Sequence, residues 1–533
     1  MTALLDRLAT GWRPWATLAL LCAALYLPGM AALPPFDRDE ARFVQATRQM
    51  LESGDFVQIR FQDEARNKKP VGIHWLQAAA VALLSDPEAR SLRPYRLVSA
   101  TAAAIAVLFT FALGALLFDR RTALLGAALA AAALVTVVEA HLAKTDAALL
   151  AASLAAELAL GRAYLARRAG GRAGAGNALL FWAALGVGGL IKGPVAPMVV
   201  ALAAAALSLA DRSTAWLRDL RPAWGVPLAA LIVTPWLVLV SAATDGGFLG
   251  DAVRSDLLPK LIGGQESHGA PPGYYLALLV ATAWPASLLV PQGVAAAWRG
   301  RTAPALRFAL AWVVPGWLMF ELVPTKLPHY VLPLYPTLAL LAAHAAVAGV
   351  GGAGRWRWAA AAWFALWGVV GVALGALGLA AATAFGGGTP LAALAGLAAG
   401  VLAVAAAALW LRRDAVAACV ASVAGAAVVF GLLLGVVAPR LDDLWLGRSA
   451  AALLAREGIA AGRVAVVGYA EPSLVFLAGT DIRFANTADA AAHLASVPDA
   501  VALVGDRDRE TFEVAVRAAG VEPAPGAVVR GFN

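Results

Sequence analysis

Of 42 basic residues only six are lysines: Lys68, Lys69, Lys144, Lys192, Lys260 and Lys326. Most stand at a break between apolar runs, with acids and histidines close by. "EAHLAKTDAALL" holds Glu139, His141, Lys144 and Asp146, and "GLIKGPVAP" sets Lys192 beside Gly-Pro. "GGQESHGAPPGYY" carries Glu266 and His268, and "ELVPTKLPHYVLPLYP" sets Lys326 and His329 among prolines. A compact ammonium meets an anion as a point charge, where arginine presents a planar fork. An anionic head group is therefore implied. In "PPFDRDEARFVQATRQMLESGDF", Asp37 and Glu40 fit the N-cap and N3 positions of a capping box. Asp39 is not needed for that cap and is the first candidate for chemistry. Asp37 and Asp39 could offer two oxygens to a hard cation. The lysines already supply counter-charge, so no cofactor is expected and a divalent metal is the weaker option.

The elements that must position these residues are membrane spans. A chain that is 61% hydrophobic and 14% charged is too apolar for a large soluble enzyme. About thirteen apolar runs of bilayer-compatible length are legible, near 15–33, 96–118, 122–138, 147–165, 178–191, 194–210, 225–243, 274–296, 308–323, 331–349, 359–382, 389–411 and 416–438. The N-terminal stub and alternate loops carry arginine, from Arg120 and Arg121 through Arg162–Arg172, Arg212–Arg221 and Arg299–Arg307 to Arg412 and Arg413. The positive-inside rule then puts the N-terminus in the cytoplasm and the C-terminus outside. All six lysines fall at the outer side. The net charge of +8 is mostly this topological arginine, so no nucleic-acid partner is expected. Cys22 and Cys419 both lie within predicted spans, so no disulfide framework is expected.

Within the outer loop 34–95, Phe43, Val44, Thr47, Met50 and Leu51 share one helical face, predicting an amphipathic helix on the membrane that ends at Ser53-Gly54. The apolar stretch after Pro70 is too short to span and reads as interfacial. Prolines at 324, 328, 333 and 336 predict a broken helix lining a cavity, where such breaks are tolerated. Beyond residue 438, "RVAVVGY" and "AVALVGD" read as buried strands around a helix near 487–496. The expected fold class is an all-α polytopic membrane protein of about 13 transmembrane helices with a small C-terminal α/β soluble domain. Its expected division is 1–441 and 442–533.

The ordered set "DEARF", "GDF", "KPVGIHW", "TDAALL", "KGP", "ESHGAPPGYY" and "TKLPHYVLPLYP" resembles the GT-C membrane glycosyltransferases. In particular it is similar to the bacterial relatives of protein O-mannosyltransferase (glycosyltransferase family 39) and to the lipid A aminoarabinose transferases. The resemblance implies a polyprenyl-phosphate (undecaprenyl phosphate) sugar donor, held at the outer face of a bacterial inner membrane, and transfer with inversion. Partners would be that donor, a lipid, glycan or protein acceptor, and membrane lipids. The family's catalytic acids fall on Asp39 and Asp146, with Glu40 beside them as a further catalytic candidate. Its phosphate-side positions fall on Lys69, Lys192, His268 and Lys326. Lys68, His329, Tyr330 and Tyr274 are candidate substrate contacts. One departure stands out: the aminoarabinose transferases carry an acid immediately before the lysine of "KPVGIHW", where this chain has Lys68. A lipid-linked-sugar flippase is the rival reading, but it would place ionisable groups at midplane or on both sides, often within inverted repeats. Here they cluster on one side.

Overall fold

The computed structural model describes residues 2–86, 89–259, 269–349, 357–387, 389–522, 524 and 526–532. Among the described residues eight helices are long and apolar enough to cross a membrane, from Arg93–Leu117 to Ala415–Arg440, and up to ten if two bent pairs each count as one span. The other three expected runs form shorter helices, Arg13–Tyr26, Val195–Asp211 and Tyr335–Val347. Proline and glycine interrupt the apolar stretch at both ends of Arg13–Tyr26 and Tyr335–Val347, whereas Val195–Asp211 begins after Gly193-Pro194 and stops where the chain turns polar at Asp211 and Arg212.

The bent pairs lie close to the polar stretches that carry the candidate residues. Helices Arg120–Ala132 and Leu134–His141 meet at 58°. The backbone groups freed by that break are satisfied: the Tyr26 hydroxyl donates to Ala131 O at 2.9 Å, and Leu134 N donates to Trp284 O at 2.7 Å. Helices Tyr274–Thr282 and Ala286–Arg299 meet at 119°. There the indole N–H groups of Trp363 and Trp367 donate to Ser287 O and Pro285 O. Freed backbone groups with internal partners are what a membrane interior demands of a broken helix.

Helix Asp39–Ser53 ends on Gly54, whose φ of 71° glycine adopts without penalty. The predicted capping box does not form. Arg38 occupies the N-cap, Asp37 accepts from Ser473 N, and Glu40 reaches back to Phe36 N. Nor does the helix lie open on a membrane surface. Phe43, Val44, Thr47 and Met50 are buried, and so are Glu40, Gln45 and Arg48, because helix Gly72–Leu84 covers one side and the C-terminal residues 472–482 cover another. The C-terminal region carries a parallel sheet ordered 483–484, 464–467, 501–504. The two longer strands and helix Thr487–Ser496 match the sequence expectation; the strand at 483–484 is too short to give a periodic signal.

Candidate functional site

Three chain breaks converge at one end of the bundle. The broken helix ends at His141, whose ring bridges Val137 O and Pro28 O, and the next helix starts at Asp146. Helix Ala175–Lys192 ends at Gly193, with φ 61°, and delivers Lys192 to the same place. Helix Pro304–Leu322 stops before Pro324 and the chain is helical again from Leu332, as the prolines predict, leaving 323–331 as the irregular segment that carries His329.

The side chains brought together form one network. Lys192 Nζ donates to Asp146 Oδ1 at 2.5 Å. Lys144 Nζ lies 3.0 Å from Glu139 Oε1 and 3.9 Å from Asp146 Oδ2. His329 stands between the two acids, Nδ1 3.6 Å from Glu139 and Nε2 3.7 Å from Asp146. The Lys192 ammonium also sits 5.3 Å from the centre of the Tyr330 ring, a cation–π contact. Burial works against the charge of Lys144, but Glu139 and Asp146 outweigh it and push its pKa up to about 12. Burial drives His329 the other way, to about 3, despite the neighbouring Asp146. Two acids, two lysines and one imidazole thus meet in a single buried network.

Asp39 opens its helix at the rim of this cluster. Its side chain is 57% exposed and lies 3.9 Å from Arg66, whose guanidinium stacks over Phe43. Its charge acts on both Lys144 and His329. Glu40, the next residue, is in a different situation. It is 2% exposed and accepts Arg96 Nε and Nη2 at 2.8 Å each, Ala143 N at 2.8 Å and Phe36 N at 2.9 Å. Arg96 in turn donates to Met30, Leu33 and Pro34 carbonyls. Glu40 thus fastens three segments and has no lone pair turned to a substrate.

Lys326 is 3% exposed and donates to Val323 O at 2.5 Å. Among the described residues no carboxylate comes within 4 Å of it. Among the described residues its ammonium therefore meets a carbonyl alone, a costly way to desolvate a charge. Its segment pairs with the start of "GAPPGYY": Gly269 bridges Thr325, and Ala270 N donates to Pro324 O. Glu321 accepts Gly273 N and Leu276 N, fixing the helix that begins at Tyr274. His268, adjacent to Gly269, lies outside the described residues, as does Lys260. Lys69 is half-buried and Lys68 exposed in the loop before Pro70; both are engaged within the fold.

The opposite end of the bundle has arginine instead. Asp211 receives the Tyr164 hydroxyl at 2.8 Å and pairs with Arg168 and Arg307, and Arg172 pairs with Asp219. Helix Asp146–Arg168 joins the two ends across its 23 residues, about 34 Å. Sequence reasoning missed Arg66 and Arg96. The signal for Arg96 was present, since a lone arginine heading an apolar run must find a buried partner.

The family model for dolichyl-phosphate-mannose-protein mannosyltransferase matches residues 68–239. An undecaprenyl phosphate-alpha-4-amino-4-deoxy-L-arabinose arabinosyl transferase of Pseudomonas fluorescens is 29% identical over 341 residues, 62% of this chain and 59% of that protein. A counterpart from Pseudomonas aeruginosa is 30% identical over 319 residues, 58% of this chain and 55% of its own length. The matched part therefore spans less than two thirds of these curated relatives. Among solved structures, apo ArnT from Cupriavidus metallidurans superposes with a TM-score of 0.73 over 94% of both chains at 20% identity. An Archaeoglobus fulgidus oligosaccharyltransferase superposes at 0.56 over 89% of this chain and 63% of its own, at 13% identity. The chain is thus a polytopic helical membrane protein with an ArnT-like fold, and the resemblance of its motifs to the GT-C membrane glycosyltransferases of the protein O-mannosyltransferase and aminoarabinose transferase kind is borne out in sequence and in fold.

Proposed function

We propose that the chain is a glycosyltransferase that moves a sugar from a polyprenyl-phosphate donor to an acceptor hydroxyl, with inversion, at the outer face of a bacterial inner membrane. The observation that carries this reading is Lys326, a buried ammonium without a carboxylate among the described residues, on the same irregular segment as His329 of the acid–lysine network. An anionic phosphodiester supplies the charge that Lys326 lacks. The names of the matched relatives supply the donor class, undecaprenyl phosphate sugars. The acceptor is a lipid such as lipid A, another envelope glycan or a protein. Lys68 in place of the acid usual in aminoarabinose transferases argues for a sugar other than aminoarabinose.

In this mechanism Lys326, with Lys69, Lys192 and His268, holds the phosphate and meets its charge as the glycosidic bond breaks. Asp39, exposed at the rim, takes the acceptor proton. Asp146 orients Lys192 and His329 by direct contact. Glu40 acts as a positioning residue through Arg96. Residues 1–441 form the catalytic domain and 442–533 a unit on the periplasmic side. The test is transfer of labelled sugar from a panel of polyprenyl-phosphate sugars by the purified protein, with mass spectrometry of envelope glycans from a deletion strain to name the acceptor. Asp39→Asn should lower turnover by roughly 100-fold or more while the protein still folds; near-normal turnover would remove Asp39 from the mechanism.

A further inference from the structure

The C-terminal residues 472–482 make a dense set of contacts with the segment that presents Asp39. Ser473 N donates to Asp37 Oδ1 at 3.0 Å, two residues before Asp39. Gln45 Nε2, on the Asp39 helix, donates to Thr480 Oγ1 at 2.9 Å, and that hydroxyl donates to Glu52 at 3.2 Å. Gln62, in the following loop, donates to both Thr480 O and Ile482 O. Arg90 closes the far side by donating to Leu477 O at 2.6 Å.

Apolar packing runs through the same place. Phe476, 1% exposed, meets Tyr95 edge-on at 5.9 Å and shares a buried cluster with Val44 of the Asp39 helix and with Ala143. Ala143 is bonded on both sides: its N–H donates to Glu40 and its carbonyl accepts from Gln77. The next residue is Lys144, whose ammonium holds Glu139. Phe476 therefore belongs to one buried cluster with residues of both walls of the site, the one carrying Asp39 and the one carrying Lys144. Packing that joins both walls fixes their separation, and carboxylate-to-substrate distance is the variable on which proximity catalysis depends most steeply.

We propose that segment 472–482 is a positioning clamp for Asp39, which makes the C-terminal unit part of the catalytic apparatus rather than a separate binding module. This rests on the transferase reading above. Asp37 is the residue that tests it, because its exposed side chain contributes one hydrogen bond to the clamp and little packing. In the full-length protein Asp37→Ala should lower kcat roughly 10- to 100-fold with the donor KM within about twofold. Asp37→Asn keeps an oxygen acceptor for Ser473 N and should restore most of that loss. Gln62→Leu, which removes two donors at the other end of the segment, should behave like Asp37→Ala. A second readout does not depend on sugar transfer: hydrogen–deuterium exchange of residues 38–47 should quicken in Asp37→Ala and return toward wild type in Asp37→Asn. Unchanged exchange, a KM effect with kcat intact, or an Asp37→Asn variant as poor as Asp37→Ala would each overturn the clamp. Failure of the unmutated protein to use any polyprenyl-phosphate sugar counts against the transferase reading instead, so the two failures are distinguishable.

Discussion

Lys326 and Lys192 are both lysines at the same end of the bundle, yet removing their charges should move stability in opposite directions. Lys192 is half of a tight pair with Asp146, which is 5% exposed. Lys192→Met leaves that carboxylate without its nearest cation, and breaking a buried pair from one side costs about 3–5 kcal/mol. Among the described residues Lys326 has only Val323 O to meet its ammonium. Lys326→Met removes a desolvated charge without orphaning an acid among the described residues, so the donor-free protein should gain on the order of 1–3 kcal/mol. Transfer should fall in both. For Lys326→Met the loss of one transition-state electrostatic contact, about 2–4 kcal/mol, corresponds to roughly 30- to 1000-fold in kcat/KM. Arginine at 326 should rescue only in part, because a planar fork cannot take an ammonium's place without shifting the phosphate. The assay pairs melting of the purified protein in detergent, with and without polyprenyl phosphate, with initial rates of transfer. Polyprenyl phosphate should raise the melting temperature of the wild type and not of Lys326→Met. Lower donor-free stability in Lys326→Met, or undiminished stabilisation by polyprenyl phosphate, would refute the argument that this ammonium awaits an anion.

Glu40→Gln leaves the buried Arg96 guanidinium without its counter-charge and should cost about 3–5 kcal/mol, read as a lower melting temperature and yield. A variant that melts normally but has lost transfer would return Glu40 to the chemistry. His329 should stay neutral: with its folded pKa near 3 against an ordinary 6.5, the fold disfavours the charged ring. Its contribution to stability is therefore lost as pH falls from about 6.5 towards 3, and NMR of selectively labelled His329 should show no protonation at pH 5. Titration near 6.5 would refute the assigned burial. Cysteine reporters at Asp63 and at Gly174, in a background without Cys22 and Cys419, should label from outside and from inside respectively. The reverse pattern would invert the membrane orientation read from the arginines.

What the sequence determined by itself was the solvent and the inventory. An abundance of apolar runs with arginine in alternate loops specifies a multi-span bundle, because each run of about 20 apolar residues has one low-energy home. The family motifs then named Asp39, Asp146, Lys192 and Lys326 in chain order, and the prolines after Leu322 located a true helix break. The sequence left open which acids face substrate and which face protein. Asp39 and Glu40 are neighbours of like chemistry, and only the turn of the helix sends one to the rim and the other onto Arg96, 56 residues away. Asp37 read as a helix cap because Asp-x-x-Glu is a local signal; a backbone N–H 436 residues later outcompeted it. The partners of a buried charge are set by long-range packing, which local periodicity does not encode. The two lysines that looked alike in sequence therefore became distinguishable only when the tertiary structure gave one a carboxylate and the other a carbonyl.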